Sequence, residues 1–288
     1  MSFNAPSPVG GFSGGGRAGD GGLFPFPCRV LSTGEGARGW GLTLYADCQA
    51  IAPLLRDHSP QDALAAYYAL HHSEIRTQLT VHRDERGAKR ADGFMAVCQT
   101  GFDLFQPLAV LRAPTANGAD AAAWLLRNGL SPARSYHVLV PPALAPAVEA
   151  EMNVTSSATH WVLKARRADF KPVINVLVTS SRGPDGGMRF AIRAADGSVV
   201  AESGTNWRTD EFAEVFVHVE FAARGRGLGK SVVSACTAHL LESNLRPLYF
   251  VDQDNAESVA IAEALGYADT GARERAYVGS LKRRMQDA

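Results

Sequence analysis

Apolar positions along the chain follow two rhythms, one of period two and one of period three to four, and their alternation predicts an α/β protein. Residues 47–56 and 61–71 have helical spacing, the second run opening on Ser59-Pro60, a cap followed by a first-turn proline. Strands are expected at 75–82, 94–99 and 108–112, a helix at 119–127, a strand at 136–140, a helix at 143–152 and a strand at 159–164. After Lys171-Pro172 the pattern changes. Period-two runs at 174–179, 188–194, 199–204 and 214–219 follow one another, with hairpin turns at Asp185-Gly186-Gly187 and Asp196-Gly197. A helix is expected from Leu228, with Val232, Cys236 and Leu240 on one face, then a buried strand at 247–251 and a short helix that Asp254 and Glu257 could cap.

Composition and charge narrow the class. The 288 residues are 46% hydrophobic and carry 29 basic against 29 acidic side chains, a net charge of zero. No basic excess points to nucleic acid, and no apolar run approaches the ~20 residues that cross a membrane. Eight of the first 22 residues are Gly, which reads as a flexible tail without the basic start and apolar core of a signal peptide. The four cysteines, Cys28, Cys48, Cys98 and Cys236, are scattered, so reduced thiols in a cytoplasmic protein are expected, with no disulfide framework and no metal site. Three segments follow: the tail 1–22, an N-terminal α/β part 23–170 and a C-terminal part 171–288.

The most informative junction is 214–231, where a β-type run gives way to a glycine-rich turn that opens a helix. Unpaired N–H groups at a helix start form an anion site, and Arg224, Arg226 and Lys230 add charge there. Glycines at 225, 227 and 229 remove Cβ atoms that would hold a phosphate away from the backbone. A Walker A loop would need Gly where Arg224 stands, and a dinucleotide fingerprint would need a different spacing of the last glycine.

The pattern that fits is Arg224-Gly225-Arg226-Gly227-Leu228-Gly229, which resembles the acetyl-CoA loop of the GNAT superfamily of N-acetyltransferases. Downstream, Asn255, Ser258 and Leu265-Gly266-Tyr267 are similar to the family's Asn, short helix and Gly-aromatic pair. The resemblance covers roughly residues 210–270. It implies a GNAT-like mixed, twisted sheet flanked by helices, acetyl-CoA as acyl donor, and direct attack by an amine. Cofactor contacts are then expected from the backbone of Val217, His218 and Val219, from residues 224–230 and from Asn255. The Tyr that commonly protonates the departing thiolate in this family is replaced by Ala262, leaving Ser258 as the candidate acid, with a first-turn structural role as the alternative.

For the base, Glu214 is the best candidate, with Glu211 and Glu220 behind it. Its register relative to Arg224 is one residue shorter than in branches with a catalytic Glu there, so a bulge or an opposite-facing side chain is in question. The helix-strand order of residues 23–170 is itself close to the family's, so that part could be a degenerate copy without the loop. Residues 172–224 leave no room for the two helices that usually wall the acceptor, which places the expected acceptor pocket between the halves. A small amine acceptor is expected; a protein acceptor and a non-catalytic acyl-CoA sensor are the rivals, and oligomeric state is silent. Gly11-Phe12-Ser13-Gly14-Gly15 and 34–39 spell known motifs without their flanking elements, Trp40 onward reading as β-like. His71-His72 at a helix end, His218 in a strand and His239 in a helix read as structural, with His239 exposed. The basic end from Lys282 reads as a solvated terminus or a phosphate contact.

Overall fold

The structure is a computed structural model and describes residues 40–56, 58–83, 90–101, 105–183 and 185–283. The tail 1–22, Cys28 and the motif look-alikes at 11–15 and 34–39 lie outside those residues. In the first half, helices α1 (Trp40–Ile51) and α2 (Pro60–Ala66) precede strands β1 (Thr77–Arg83), β2 (Ala91–Cys98) and β3 (Leu108–Arg112). Helix α3 (Gly118–Gly129), strand β4 (Ser135–Val140), helix α4 (Ala145–Glu151) and strand β5 (Met152–Ala165) complete it. The second half runs β6 (Thr179–Arg182), β7 (Met188–Arg193), β8 (Val199–Arg208), β9 (Phe212–Val219), α5 (Leu228–Glu242), β10 (Arg246–Asp252), α6 (Ala256–Ala264) and β11 (Tyr267–Leu281).

Among the described residues the eleven strands form one sheet in the order β1-β2-β3-β4-β11-β5-β10-β9-β8-β7-β6. That order repeats itself about the central β11–β5 pair. On one side β3 and β4 run parallel with α3 between them; on the other β9 and β10 run parallel with α5 between them. The last strand of each half crosses into the other: β11 lies between β4 and β5, and β5 between β11 and β10. The halves are therefore bound by three antiparallel ladders and share one hydrogen-bonded sheet.

Each face of the sheet is apolar and covered. On one, Ile51, Leu64, Ala65 and Tyr68 from α1 and α2 and the π-helical turn Tyr67–His71 pack on Val110, Val162, Trp207, Phe212, Leu248 and Ala276. On the other, α3 and α4 cover Met95, Leu111, Val138 and Tyr277, while α5 and α6 cover Leu163, Val215, Tyr249 and Val251. Val232, Cys236 and Leu240 are all buried, as their spacing along α5 requires.

Several local expectations change. Residues 174–179 do not form a strand; β6 starts at Thr179. Asn175 bends the segment, accepting from the Leu177 N–H through its side chain (3.0 Å) and from the Val178 N–H through its carbonyl (3.1 Å), while the Val173 N–H goes to Ser234 Oγ on α5 (2.8 Å). Trp40 and the five residues after it are helical, since the run continues into Ala46–Ile51 and β-propensity yields to context. Asn255, not Asp254, caps α6, its Oδ1 accepting from the Ser258 N–H at 3.1 Å. His239 is half-buried, its ring 5.6 Å from that of Phe190. Lys282 donates to the carbonyls of Glu149 (3.0 Å) and Ala150 (2.7 Å), where a cation suits the C-terminal end of α4.

Candidate active site

Parallel strands β9 and β10 pair over only three positions, ending at Glu214 opposite Leu248. Beyond that pair they part, so the facing edges of 215–219 and 249–252 no longer satisfy one another. This fork holds the backbone of Val217, His218 and Val219, and the glycine loop lies at its open end. Gly225 and Gly227 both have φ of +73°, in the left-handed region, and a Cβ on either would point into open space. No side chain caps α5, whose first turn therefore offers N–H groups outward from Leu228 to Lys230. Arg226 and Lys230 form no ion pair among the described residues, and the exposed Arg224 folds back, Nε donating to the Val219 carbonyl at 3.3 Å. Gly229 serves closeness instead: a Cβ there would come within 3.1 Å of both Ile261 and Val219. A diphosphate fits this cradle, with bare backbone, a helix start and unpaired cations around it.

Glu214 stands at the base of the fork on the face that α2 covers, alternating with the inward-facing Ala213 and Val215. Strand β9 carries no bulge of its own. The shift lies in β8, between Thr205 and Trp207, and the extra residue, Asn206, donates its side-chain amide to Glu214 Oε1 at 3.2 Å. Burial pushes the Glu214 carboxyl from 4.5 up to about 7, against the opposing pull of Asn206 and of the Trp207 indole. The negative charge of Glu214 in turn adds to the burial that raises the Tyr68 hydroxyl. A half-buried carboxylate titrating near neutrality is equipped to accept a proton from an ammonium group. The rivals are otherwise engaged: Glu211 Oε1 is 2.7 Å from His58 Nδ1 and its Oε2 3.4 Å from Arg246, and exposed Glu220 is 3.2 Å from His218.

Residues 182–273 match the GNAT acetyltransferase family. The matched stretch contains the fork, the loop and α6. Solved structures share the fold: a GCN5-related N-acetyltransferase-like protein from Streptococcus suis at 14% identity and TM-score 0.54, covering 83% of this chain and 100% of that one, and a GCN5-related N-acetyltransferase from Kribbella flavida at 18% and 0.52, covering 74% and 93%. A tandem GNAT protein from the clavulanic acid biosynthesis pathway matches at 14% and 0.50, covering 83% and 94%. Among curated proteins none matches this sequence.

Within the matched stretch, Asn255 is committed through Oδ1 to capping α6. Ser258, one turn in, has its hydroxyl 2.8 Å from that of Tyr249 on β10. Burial pushes the Tyr249 hydroxyl up to about 12, so it stays protonated beside Ser258. Ala262 is fully buried against the sheet. The structure thus brings Glu214, the fork and the loop together along one strand. Ser258 and Tyr249 lie on the opposite face of the sheet from Glu214, beneath α6. Sequence reasoning missed Asn206 and Trp207, whose role depends on a bulge that no local signal announces, and Tyr67 and Tyr68, which read only as helix residues. Among the described residues no group of His, Cys, Asp or Glu is arranged to hold a metal ion, and no helix is long and apolar enough to cross a membrane.

Proposed function

We propose that the chain is an acetyl-CoA-dependent N-acyltransferase acting on the amine of a small-molecule or amino-acid-like acceptor by direct attack. The observation that carries this reading is a carboxyl poised near neutrality, Glu214, at the root of a strand fork whose far end is a bare glycine cradle. The loop and first turn of α5 hold the diphosphate, with Arg226 and Lys230 nearby, and backbone N–H groups of 217–219 face the acyl carbonyl and stabilise its developing oxyanion. Glu214 takes one proton from the acceptor ammonium. The freed nitrogen attacks the thioester carbonyl, a C–N bond forms and the C–S bond breaks. The second nitrogen proton ends on the departing thiolate, with Ser258, backed by Tyr249, as the candidate relay. Holding both reactants along one strand supplies proximity.

The helices α1 and α2 of residues 23–170 stand over Glu214 in place of the acceptor wall that 171–288 lacks, which supports an acceptor site between the halves and favours a small acceptor over an extended protein chain. The tandem description of one structural neighbour supports reading the first half as a second GNAT-like unit. Buried free thiols at Cys48, Cys98 and Cys236 are in keeping with a cytoplasmic protein. One observation favours a sensor: Ala262 fills the usual place of the acid. Thiol release from acetyl-CoA, followed across an amine panel alongside calorimetric binding, decides between them; binding without release above background for any amine would refute catalysis.

A further inference from the structure

Strand β8 turns two neighbouring side chains toward one carboxylate. Ala201, Ser203 and Thr205 lie on the α5 face, opposite Val219, Val217 and Val215 of β9, and unbroken alternation would put Trp207 there too. The extra residue, Asn206, shifts the count by one. Trp207 pairs with Glu214 instead, so Asn206 and Trp207 both face the side that α2 covers. The Asn206 amide donates to Glu214 Oε1 at 3.2 Å. The Trp207 indole N–H, which makes no well-formed hydrogen bond, adds a lesser pull in the same sense.

No cation steadies this carboxylate: Glu214 forms no ion pair among the described residues. Arg246, 5.6 Å over the Phe212 ring, is 3.4 Å from Glu211, and Arg189, 5.0 Å over the Phe216 ring, is matched by Asp185 at 2.7 Å and Glu202 at 3.8 Å. His218, further along β9, is 3.2 Å from Glu220. Lys164 faces the same side from β5 but stands two strands away, roughly 10 Å by strand spacing. From the turn after α2, Tyr68 presents a hydroxyl that burial, and then the Glu214 charge itself, keeps protonated. A cation in contact would hold the carboxylate charged far below neutrality and repel an arriving ammonium. Neutral N–H groups favour the charged form without that repulsion.

Resting on the acyl-transfer reading above, we propose that Asn206 is a positioning residue for the base: its amide steadies the ionised Glu214 and fixes the rotation of the carboxyl group, engaging Oε1 and leaving Oε2 for the acceptor ammonium. The bulge is what brings this amide within reach, and Asn206 itself touches neither acetyl-CoA nor the acceptor.

Two readouts test it. Carboxyl-carbon NMR follows the Glu214 titration without any acceptor, the signal assigned by its loss in Glu214→Gln, and thiol release from acetyl-CoA with butylamine gives kcat/KM from pH 6 to 9. The wild-type midpoint is expected at about 7. In Asn206→Ala it rises by about one pH unit, which lowers kcat/KM about fivefold at pH 7 and hardly at pH 9. Asn206→Asp keeps the side chain's shape but sets a second carboxylate beside the first, raising the midpoint by about two units. Midpoints that neither variant moves, or rates lowered by one factor at every pH as a merely structural residue would give, overturn this inference while acyl transfer stands. Acetyl-CoA bound by the wild type with no thiol released, from butylamine or any other amine of the panel, overturns both.

Discussion

Replacing Glu214 with Gln removes a titration while keeping the side chain's shape and an oxygen for Asn206, so the variant isolates the charge. The acceptor ammonium has a pKa near ~10, and below that pH the free amine rises tenfold per pH unit. An enzyme that merely captured free amine would show kcat/KM climbing with unit slope all the way to that pKa. With Glu214 accepting the proton from bound ammonium, the wild-type profile instead rises only through the Glu214 titration and levels above pH about 7. Glu214→Gln loses about 100-fold in kcat/KM at pH 7 and keeps climbing through pH 9. Stability moves the opposite way. The folded carboxyl holds its proton from 4.5 up to about 7. Its favourable contribution is complete below 4.5 and is lost as pH rises through 7, so the wild type weakens relative to the Gln variant across that window. At 1.36 kcal/mol per unit the ceiling is about 3 kcal/mol, reduced by the partial exposure of the group. Urea unfolding of both proteins at pH 5 and pH 8, with initial-rate profiles from pH 6 to 9, reads both effects. A wild-type profile with no break near 7, together with parallel stabilities of the two proteins across pH, would show that Glu214 neither titrates there nor serves as the base.

Three further outcomes are expected. Gly227→Ala forces a side chain into φ +73°, costing about 1–2 kcal/mol of stability, and weakens acetyl-CoA binding at least tenfold by calorimetry; undiminished binding would remove the loop from the site. Ser258→Ala lowers kcat about tenfold if its hydroxyl relays the thiolate proton, with little change in acetyl-CoA affinity, whereas a purely structural Ser258 leaves kcat intact. Arg112→Met strands the buried Glu274 and costs about 3–5 kcal/mol in urea unfolding, and the double variant with Glu274→Met regains most of it; a single variant as stable as the wild type would mean that the pair is not desolvated.

What could be read from the sequence was what local chemistry encodes. The glycine loop, the start of α5 and the burial of Val232, Cys236 and Leu240 follow from residue type and spacing at short range. The two strands that tie the halves together were the least legible. Only its end, 159–164, gave β5 away, because Asn153–Ser157 is exposed and, Val154 apart, polar, with no alternation; its extension to Met152 is fixed by pairing with β11. Strand β11, with Thr270-Gly271 and several charges inside it, shows no period-two pattern, yet it lies between two partners that satisfy its backbone and absorb a bulge at 269–273. Glu214 was visible as a candidate, but its face and its raised carboxyl depend on α2 and on a bulge in β8, neither of which local sequence reports.

The two parallel-strand forks differ in what their open ends hold. Like β9 and β10, strands β3 and β4 pair over three positions and then part. The first fork lacks a glycine loop: residues 113–117 lead into α3, and an added Cβ on Gly118 would strike the Ala113 carbonyl at 2.3 Å. It is also plugged. Arg112, almost fully buried, reaches the carboxylate of Glu274 on β11 and stands 4.0 Å from Asp62 of α2. Burial raises the Glu274 carboxyl and the Arg112 charge opposes that rise. An acyl-pantetheine arm entering there would have to displace this pair and leave two charges unsolvated, a cost of several kcal/mol per ion. The first fork therefore offers no second cradle of the kind that Gly225 and Gly227 leave open. Because Glu274 is supplied by the strand that the second half lends to the first, the pair that closes the first fork also ties down α2, which covers the face of the second fork that carries Glu214.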